Sequence, residues 1–413
     1  HAMPYYGDIY SQNVVSSGGA VANVVYLPAV AAAPLFIVAS EKLRMEHTGP
    51  LQVVTAANSG DTPTTTQDIN PNADGSPNIT AAVSEYGDIM QIIEWKDQSG
   101  NGNHATQSIA ANRPILKGSK RFHGKRAVNL SNASTGATAS RFLEIPTSLA
   151  TARTNLTVFV VYSSGGGLAN GTAIMGLGTG TGAADGFTLT TSNNASPSTD
   201  RYGGLGIVDS AFAGERGRQP SVGRLNVLST QITATSRRAV VADNVLNQTG
   251  QTITPADLTG GYIGKGPWST ANFGCGDIAA VLVYPALSDA DVATITAFLA
   301  TRYNTIRTAD YSDQVIGVGD SIMAGTDAYQ ENFLYQVQES GGLAFPVYTR
   351  DFGIGGRTSA QCYTNRAHYG SAWVSGLNRN IYWLHIGTND IYNLVSGSIV
   401  GGESGIYTNI TNL

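Results

Sequence analysis

Ser321 ends the stretch Gly319-Asp320-Ser321, directly after the apolar run Val315-Ile316-Gly317-Val318. A hydroxyl on the turn that leaves a buried parallel strand is placed to attack a carbonyl, provided other groups supply a base and a pocket for the oxyanion. Two later stretches suit the second task. Asp351-Phe352-Gly353-Ile354-Gly355-Gly356-Arg357-Thr358 follows the extended run Phe345-Pro346-Val347-Tyr348, and Ile386-Gly387-Thr388-Asn389-Asp390 follows the apolar run Ile381-Tyr382-Trp383-Leu384. Glycine lets backbone approach a substrate closely, and a neutral amide such as that of Asn389 stabilises an oxyanion without titrating.

Each of these runs is β-rich and ends in a glycine turn, so the three loops are expected as neighbours at one edge of one parallel sheet. In this order the three blocks resemble the first three blocks of the SGNH (GDSL-type) hydrolases, a family of serine esterases and carbohydrate deacetylases. The resemblance implies Ser321 as nucleophile and, through its own N–H, as an oxyanion donor, with Gly356 lending a second N–H and Asn389 its side-chain amide. Arg357 and Asp390, next to these, are candidate substrate contacts. Family members close with an Asp three residues before a catalytic His. That block is absent here, and no His follows Asn389, so the base and its Asp are missing and the chain is expected to continue past Leu413. His368 and His385 read as structural. Tyr329 to Glu339, with Phe333, Leu334 and Val337 at helical spacing, reads as a crossover helix.

A chain of 413 residues has room for two or three domains. Only 13% of the residues are charged while Gly reaches 49, a composition that reads as a β-rich, turn-rich surface protein. A net charge of −5 argues against nucleic acid, which calls for a basic stripe, and leaves neutral polar ligands such as sugars as the better fit. Cys275 and Cys362 fall in different expected domains, so no disulfide framework follows, and no His/Cys cluster has metal-ligand spacing. No metal or cofactor is required by the reading. Leu27 to Ala39 is apolar but carries Pro28 and Pro34, is too short to span a membrane, and does not read as a secretory signal. His1-Ala2 ahead of Met3 reads as an expression scar.

From Phe36 to Tyr303 the chain reads as one all-β unit. Leu156–Tyr162, Thr172–Met175, Gly186–Leu189, Leu225–Leu228, Arg238–Val241 and Ile278–Tyr284 are β-rich runs separated by Gly, Asn, Ser and Asp clusters, the pattern of a sandwich or jelly roll. Ser288 is placed to cap a closing helix whose Val292, Ile295, Leu299 and Tyr303 recur at helical spacing. Leu43-Arg44, His47-Thr48-Gly49-Pro50, Gln67-Asp68-Ile69 and the run from Trp95 through Asp97-Gln98-Ser99-Gly100-Asn101-Gly102-Asn103-His104 to Gln107 resemble the concanavalin A-like (laminin G-like) module related to the arabinofuranosidase B catalytic domain. The Asx-rich run from Asp97 is the most specific piece and reads on its own as a turn. Around Gly264-Lys265-Gly266-Pro267-Trp268, where those relatives place their acid, this sequence offers no Asp or Glu, so the module reads as a binding or spacing unit. Tyr202 and Trp268 are candidates for stacking on sugar rings.

The expected organisation is an arm over 1–28, a concanavalin A-like sandwich over 29–307, and the first part of an SGNH α/β/α domain over 308–413. Such a pairing implies a serine esterase that removes O-acetyl groups from a cell-surface or extracellular polysaccharide held by the sandwich. The alternative is a glycan- or capsule-binding protein without turnover, a tail or head spike of a phage or phage-like particle whose arm contacts other particle components. Either reading places the protein outside the cell or on a particle surface.

Overall fold

The computed structural model describes residues 25–130, 141–152, 154–164, 173–178, 186–190, 206–208, 224–241, 244–249, 257–267, 276–305, 313–319, 347–353, 360 and 379–385. In chain order its elements begin with β1 (Phe36–Ala39), β2 (Gln52–Ala56), β3 (Gln67–Pro71), β4 (Pro77–Asn78), α1 (Thr80–Tyr86), β5 (Ile89–Trp95), β6 (Ala105–Thr106), β7 (Ile115–Lys117), β8 (Val128–Asn129) and β9 (Leu143–Ala152). They continue with β10 (Leu156–Ser164), β11 (Ala173–Leu177), β12 (Phe187–Thr190), β13 (Gly206–Val208), β14 (Asn226–Ile232), β15 (Ser236–Val241), β16 (Asn244–Thr249), β17 (Asp257–Ile263), β18 (Gly276–Pro285) and α2 (Asp289–Arg302). Last come β19 (Asp313–Gly319), β20 (Val347–Gly353) and β21 (Arg379–His385).

Strands β1 to β18 pair antiparallel throughout. One sheet runs β16-β15-β14-β10-β18-β1, with β8 beside the start of β18. The other runs β13-β12-β11-β17-β9-β6-β5-β2-β3-β4, and β7 joins it through β5 while touching β8 of the first. Alternate side chains from both sheets meet in one apolar cluster, for example Val158, Val160, Val281 and Val283 from the first and Trp95, Leu143, Met175 and Ile263 from the second. That is the packing of a β-sandwich.

The first sheet is buried on its other face too. Ile37, Phe159, Val161, Leu282 and Tyr284 point away from the sandwich interior and meet Val292, Ile295 and Leu299 of α2 and Tyr303 just after it. This explains why β18 reads as an uninterrupted apolar run, since a strand covered on both faces has no polar side to show. A bulge keeps the phase. The register skips a residue of β18 between Val161 and Tyr162, so Ala279 and Ala280 both face the helix while Ile278 and Val281 both face the interior. Helix α2 starts where Ser288 Oγ accepts the Asp291 N–H at 3.1 Å and donates back to the Asp291 carboxylate at 2.9 Å. Asp289 and Asp291 at its first turn and Arg302 at its last complement the helix dipole.

Two buried charge clusters tie the sandwich to its surroundings. Lys120 Nζ lies 3.0 Å from Asp277 Oδ2, and Asn129 donates to Asp277 Oδ1 at 3.0 Å. Glu41 sits between Lys125 at 2.9 Å and Arg302 at 2.6 Å, linking the end of β1 to the end of α2. Burial pushes the Glu41 carboxyl up, and the two cations pull against that shift.

Strands β20-β19-β21 form a separate three-stranded parallel sheet in which Gly319 is level with Gly353 on one side and with His385 on the other. The forked pair from Arg379 to Asp313, at 2.9 and 2.8 Å, fixes the opposite end of that register. Val315–Val318, Ile381–Leu384 and the Val347–Tyr348 part of the third expected run therefore lie side by side in one parallel sheet, with Phe345 and Pro346 outside the described residues and Asp351–Gly353 continuing the strand. The helices that would make this sheet an α/β/α domain are not among the described residues.

Candidate functional site

Of the residues read from sequence as catalytic or substrate-binding, Ser321, Gly356, Arg357, Asn389 and Asp390 all lie outside the described residues, as do Tyr202 and Trp268. The parallel register brings the strand ends preceding those loops to one edge, and goes no further.

The Asx-rich run turns out to be a fastening. The buried carboxylate of Asp97 accepts from the Ile37 N–H at 3.0 Å, the Ser99 N–H at 2.9 Å, the Ser99 hydroxyl at 2.7 Å and the Asn103 N–H at 3.0 Å. Gln98 accepts from the Leu43 N–H at 2.8 Å and donates to the Glu41 carbonyl at 2.9 Å, while Asn101 donates to the carbonyls of Pro34 and Leu35 at 3.1 and 3.0 Å. Gly100 and Gly102 take φ of 93° and 73°, a region that favours glycine and lets the loop fold back on its own carboxylate. The network joins the loop to backbone around β1 through Asp97, Gln98 and Asn101, and closes the loop on itself through Asp97 and through His104, whose Nδ1 accepts the Asp97 N–H at 3.0 Å. It is structural.

Chemistry-bearing side chains gather instead on the outward face of the second sheet. Trp95, Ala105, Leu143 and Ile263 point into the core, so the residues next to them, Glu94, Thr106, Glu144 and Tyr262, point away from it. The ladder sets these four directly opposite one another in turn: Glu94 with Thr106, Thr106 with Glu144, Glu144 with Tyr262. With strands about 4.8 Å apart, the row is about 14 Å long. Lys96 lies beside Glu94 at 2.8 Å. At the other end Lys265 Nζ stands 4.6 Å from the Tyr262 ring centroid and 4.8 Å from that of Phe142, whose own ring meets Tyr262 edge to face at 5.6 Å.

Burial, and then the neighbouring Glu144 carboxylate, push the Tyr262 phenol up, so it remains a neutral donor. Glu144 is exposed and has no ion-pair partner among the described residues. The row ends against Pro267, whose ring lies on the backbone of Gly176: a Cβ at Gly176 would come within 2.3 Å of the Pro267 Cδ.

Sequence reading passed over Glu144 and Tyr262. The available signal was the alternation of Leu143 and Ile145 about Glu144, masked by the following Pro146, and Ile263 after Tyr262, masked by the preceding Gly260-Gly261. Among the described residues no group of His, Cys, Asp and Glu is arranged to hold a metal ion. No helix among them is long and apolar enough to cross a membrane.

No family model and no curated protein matches this chain. Solved structures do. An α-L-arabinofuranosidase of glycoside hydrolase family 54 is similar at 15% identity, with 64% of this chain and 62% of that enzyme covered and a TM-score of 0.46. The chain thus spans under two thirds of that enzyme's length. Domain 4 of a family 43 extracellular arabinanase from Geobacillus stearothermophilus is similar at 12% identity over 44% of this chain and 81% of that domain, with a TM-score of 0.32. A sialidase from Trypanosoma rangeli is similar at 12% identity over 51% of this chain and 31% of its own, with a TM-score of 0.35. All three are glycosidases or parts of one, and none is an ester hydrolase. The expectation of an SGNH-type carboxylic ester hydrolase is corrected accordingly.

Proposed function

We propose that residues 29–307 form a glycan-recognition module whose contact surface is the outward face of β5, β6, β9 and β17, followed by a separate unit over 308–413. The observation that carries this reading is the straight row of Glu94, Thr106, Glu144 and Tyr262. A sugar presents an apolar C–H face and a rim of hydroxyls, and is recognised by an aromatic surface next to carboxylate, hydroxyl and ammonium groups. The row supplies the carboxylates, hydroxyls and aromatic ring on rigid strands, and Lys265, just past β17, supplies the ammonium. A low content of charged residues and a net charge of −5 fit a neutral polar ligand. The test is affinity electrophoresis of the full chain in gels containing a panel of polysaccharides. Retardation by at least one polysaccharide is expected, and mobility unchanged by all of them would remove the reading.

One observation favours turnover as a second reading. Glu94 and Glu144 rise from the same face with one strand between them, about 9.6 Å apart at the backbone. An inverting glycosidase holds its two carboxyl groups roughly 6.5–9.5 Å apart. Lys96, 2.8 Å from Glu94, opposes it, since that carboxylate is already engaged in an ion pair on the same face. Release of new reducing ends from any polysaccharide that binds decides between holding and cleaving.

A further inference from the structure

We infer that Thr106, Glu144, Tyr262 and Lys265 form a subsite for an uncharged sugar residue, and that this subsite selects neutral over acidic glycans. The inference rests on the glycan-recognition reading and assigns its centre and its selectivity.

Three features fix the subsite. First, Lys265 is held between two rings, at 4.6 and 4.8 Å from their centroids, so its ammonium is oriented before any ligand arrives. A donor already held in place loses less side-chain entropy on binding than a free lysine does. Second, Glu144 stands between Thr106 and Tyr262 in the ladder, flanked by two hydroxyl groups at adjacent strand positions. An ionised carboxylate accepts hydrogen bonds from two hydroxyl groups at once, which suits a vicinal diol. Third, Tyr262 is half-buried, with its hydroxyl kept protonated and part of its side chain open to solvent.

Charge sets the selectivity. Glu94 is compensated by Lys96, and Lys265 faces aromatic rings, whereas Glu144 at the centre of the row has no cation paired with it among the described residues. A uronate or sialate carboxylate placed beside Glu144 would face like charge, with the Lys265 ammonium one strand further along and turned onto the Tyr262 and Phe142 rings, while a neutral diol would find an acceptor. Specificity here is the difference between those two encounters.

The experiment uses the full chain, with arabino-, xylo- and mannooligosaccharides as neutral probes and galacturonate oligomers as the acidic probe, read by calorimetric titration or an immobilised array. The wild type is expected to bind at least one neutral series and to bind the acidic series at least tenfold more weakly. Glu144→Gln, an exposed and nearly isosteric change, is expected to weaken neutral binding at least tenfold and to narrow the gap to the acidic series. Lys265→Met is expected to weaken neutral binding as well. Neutral binding that survives both substitutions unchanged overturns the subsite while leaving glycan recognition standing. Tighter binding of the acidic series by the wild type overturns the selectivity. No binding of any probe counts against the recognition reading itself and takes the subsite with it. Unchanged circular dichroism and unfolding midpoint in each variant separate lost contacts from lost fold.

Discussion

The Ile37 N–H donates to Asp97 Oδ1 at 3.0 Å, joining the inside of β1 to the loop that leaves β5, and both residues are buried. The bond is one of four that converge on this carboxylate, three of them from backbone N–H groups. An ionised oxygen pair accepting several backbone donors is a strong local anchor, and two of its partners, Ile37 and Asn103, are buried.

Asp97→Asn keeps the shape but turns one acceptor into an NH₂ group facing an N–H. The loss of the Asn103 bond, together with the weakened charge assistance at the others, is expected to cost about 2–3 kcal/mol. Equilibrium urea unfolding of the variant would show this as a lower midpoint at unchanged slope. An unchanged midpoint would mean that the carboxylate does not hold the loop.

Much of the sandwich was legible in the sequence because its first sheet consists of runs that satisfy propensity and burial together. Leu156–Tyr162 and Ile278–Tyr284 were read as strands and lie within β10 and β18, and the Ser288 cap with Val292, Ile295 and Leu299 gave α2 and its buried side. The outward face of the second sheet was not legible, for a physical reason. Strand β9 carries Pro146, and β17 carries Gly260-Gly261, residues that ordinarily end strands. They are tolerated because the register shifts there: Ala150 pairs with Thr259 and Ile145 with Gly261, so Pro146 falls in a bulge where no ladder bond needs its missing N–H. Gly260 at φ 66° accommodates the fold-back, lying against the carbonyls of Ile145 and Pro146. The strands that bring Glu144 and Tyr262 together are thus the two that local rules disqualify.

His47 gives a pH dependence with a definite sign. Burial holds its imidazole below the usual value, against the opposing effect of the Pro50 carbonyl that accepts from Nε2 at 3.0 Å. A histidine depressed in the folded state binds its proton first in the unfolded chain. Its contribution to stability is therefore complete above the unfolded pKa of about 6.5 and declines as pH falls through that value toward the folded one. His47→Gln removes the titration, so the variant is expected to lose less stability than the wild type between neutral pH and about pH 5.5. Parallel urea titrations at the two pH values check this, and equal losses in the two proteins would contradict it.

Gly176 connects stability to the site. It lies between Met175 and Leu177, both turned into the core, so its missing side chain would stand on the outward face, where Pro267 already lies. Its backbone is not in the left-handed region, and what the position demands is room. A Cβ would meet Pro267 Cδ at 2.3 Å, Pro267 N at 3.1 Å and the Lys265 carbonyl at 3.2 Å, and two of these are backbone atoms that no rotamer change can move. Gly176→Ala must therefore lift the segment that carries Lys265, at a cost of about 1–3 kcal/mol, and is expected to weaken glycan binding in the same step. Combining it with Pro267→Ala removes the nearest clash, so the double variant is expected to recover part of the stability. Calorimetric unfolding of the two single variants and the double variant completes the cycle. Additive losses would show that the proline ring and the glycine do not share the space the structure assigns them.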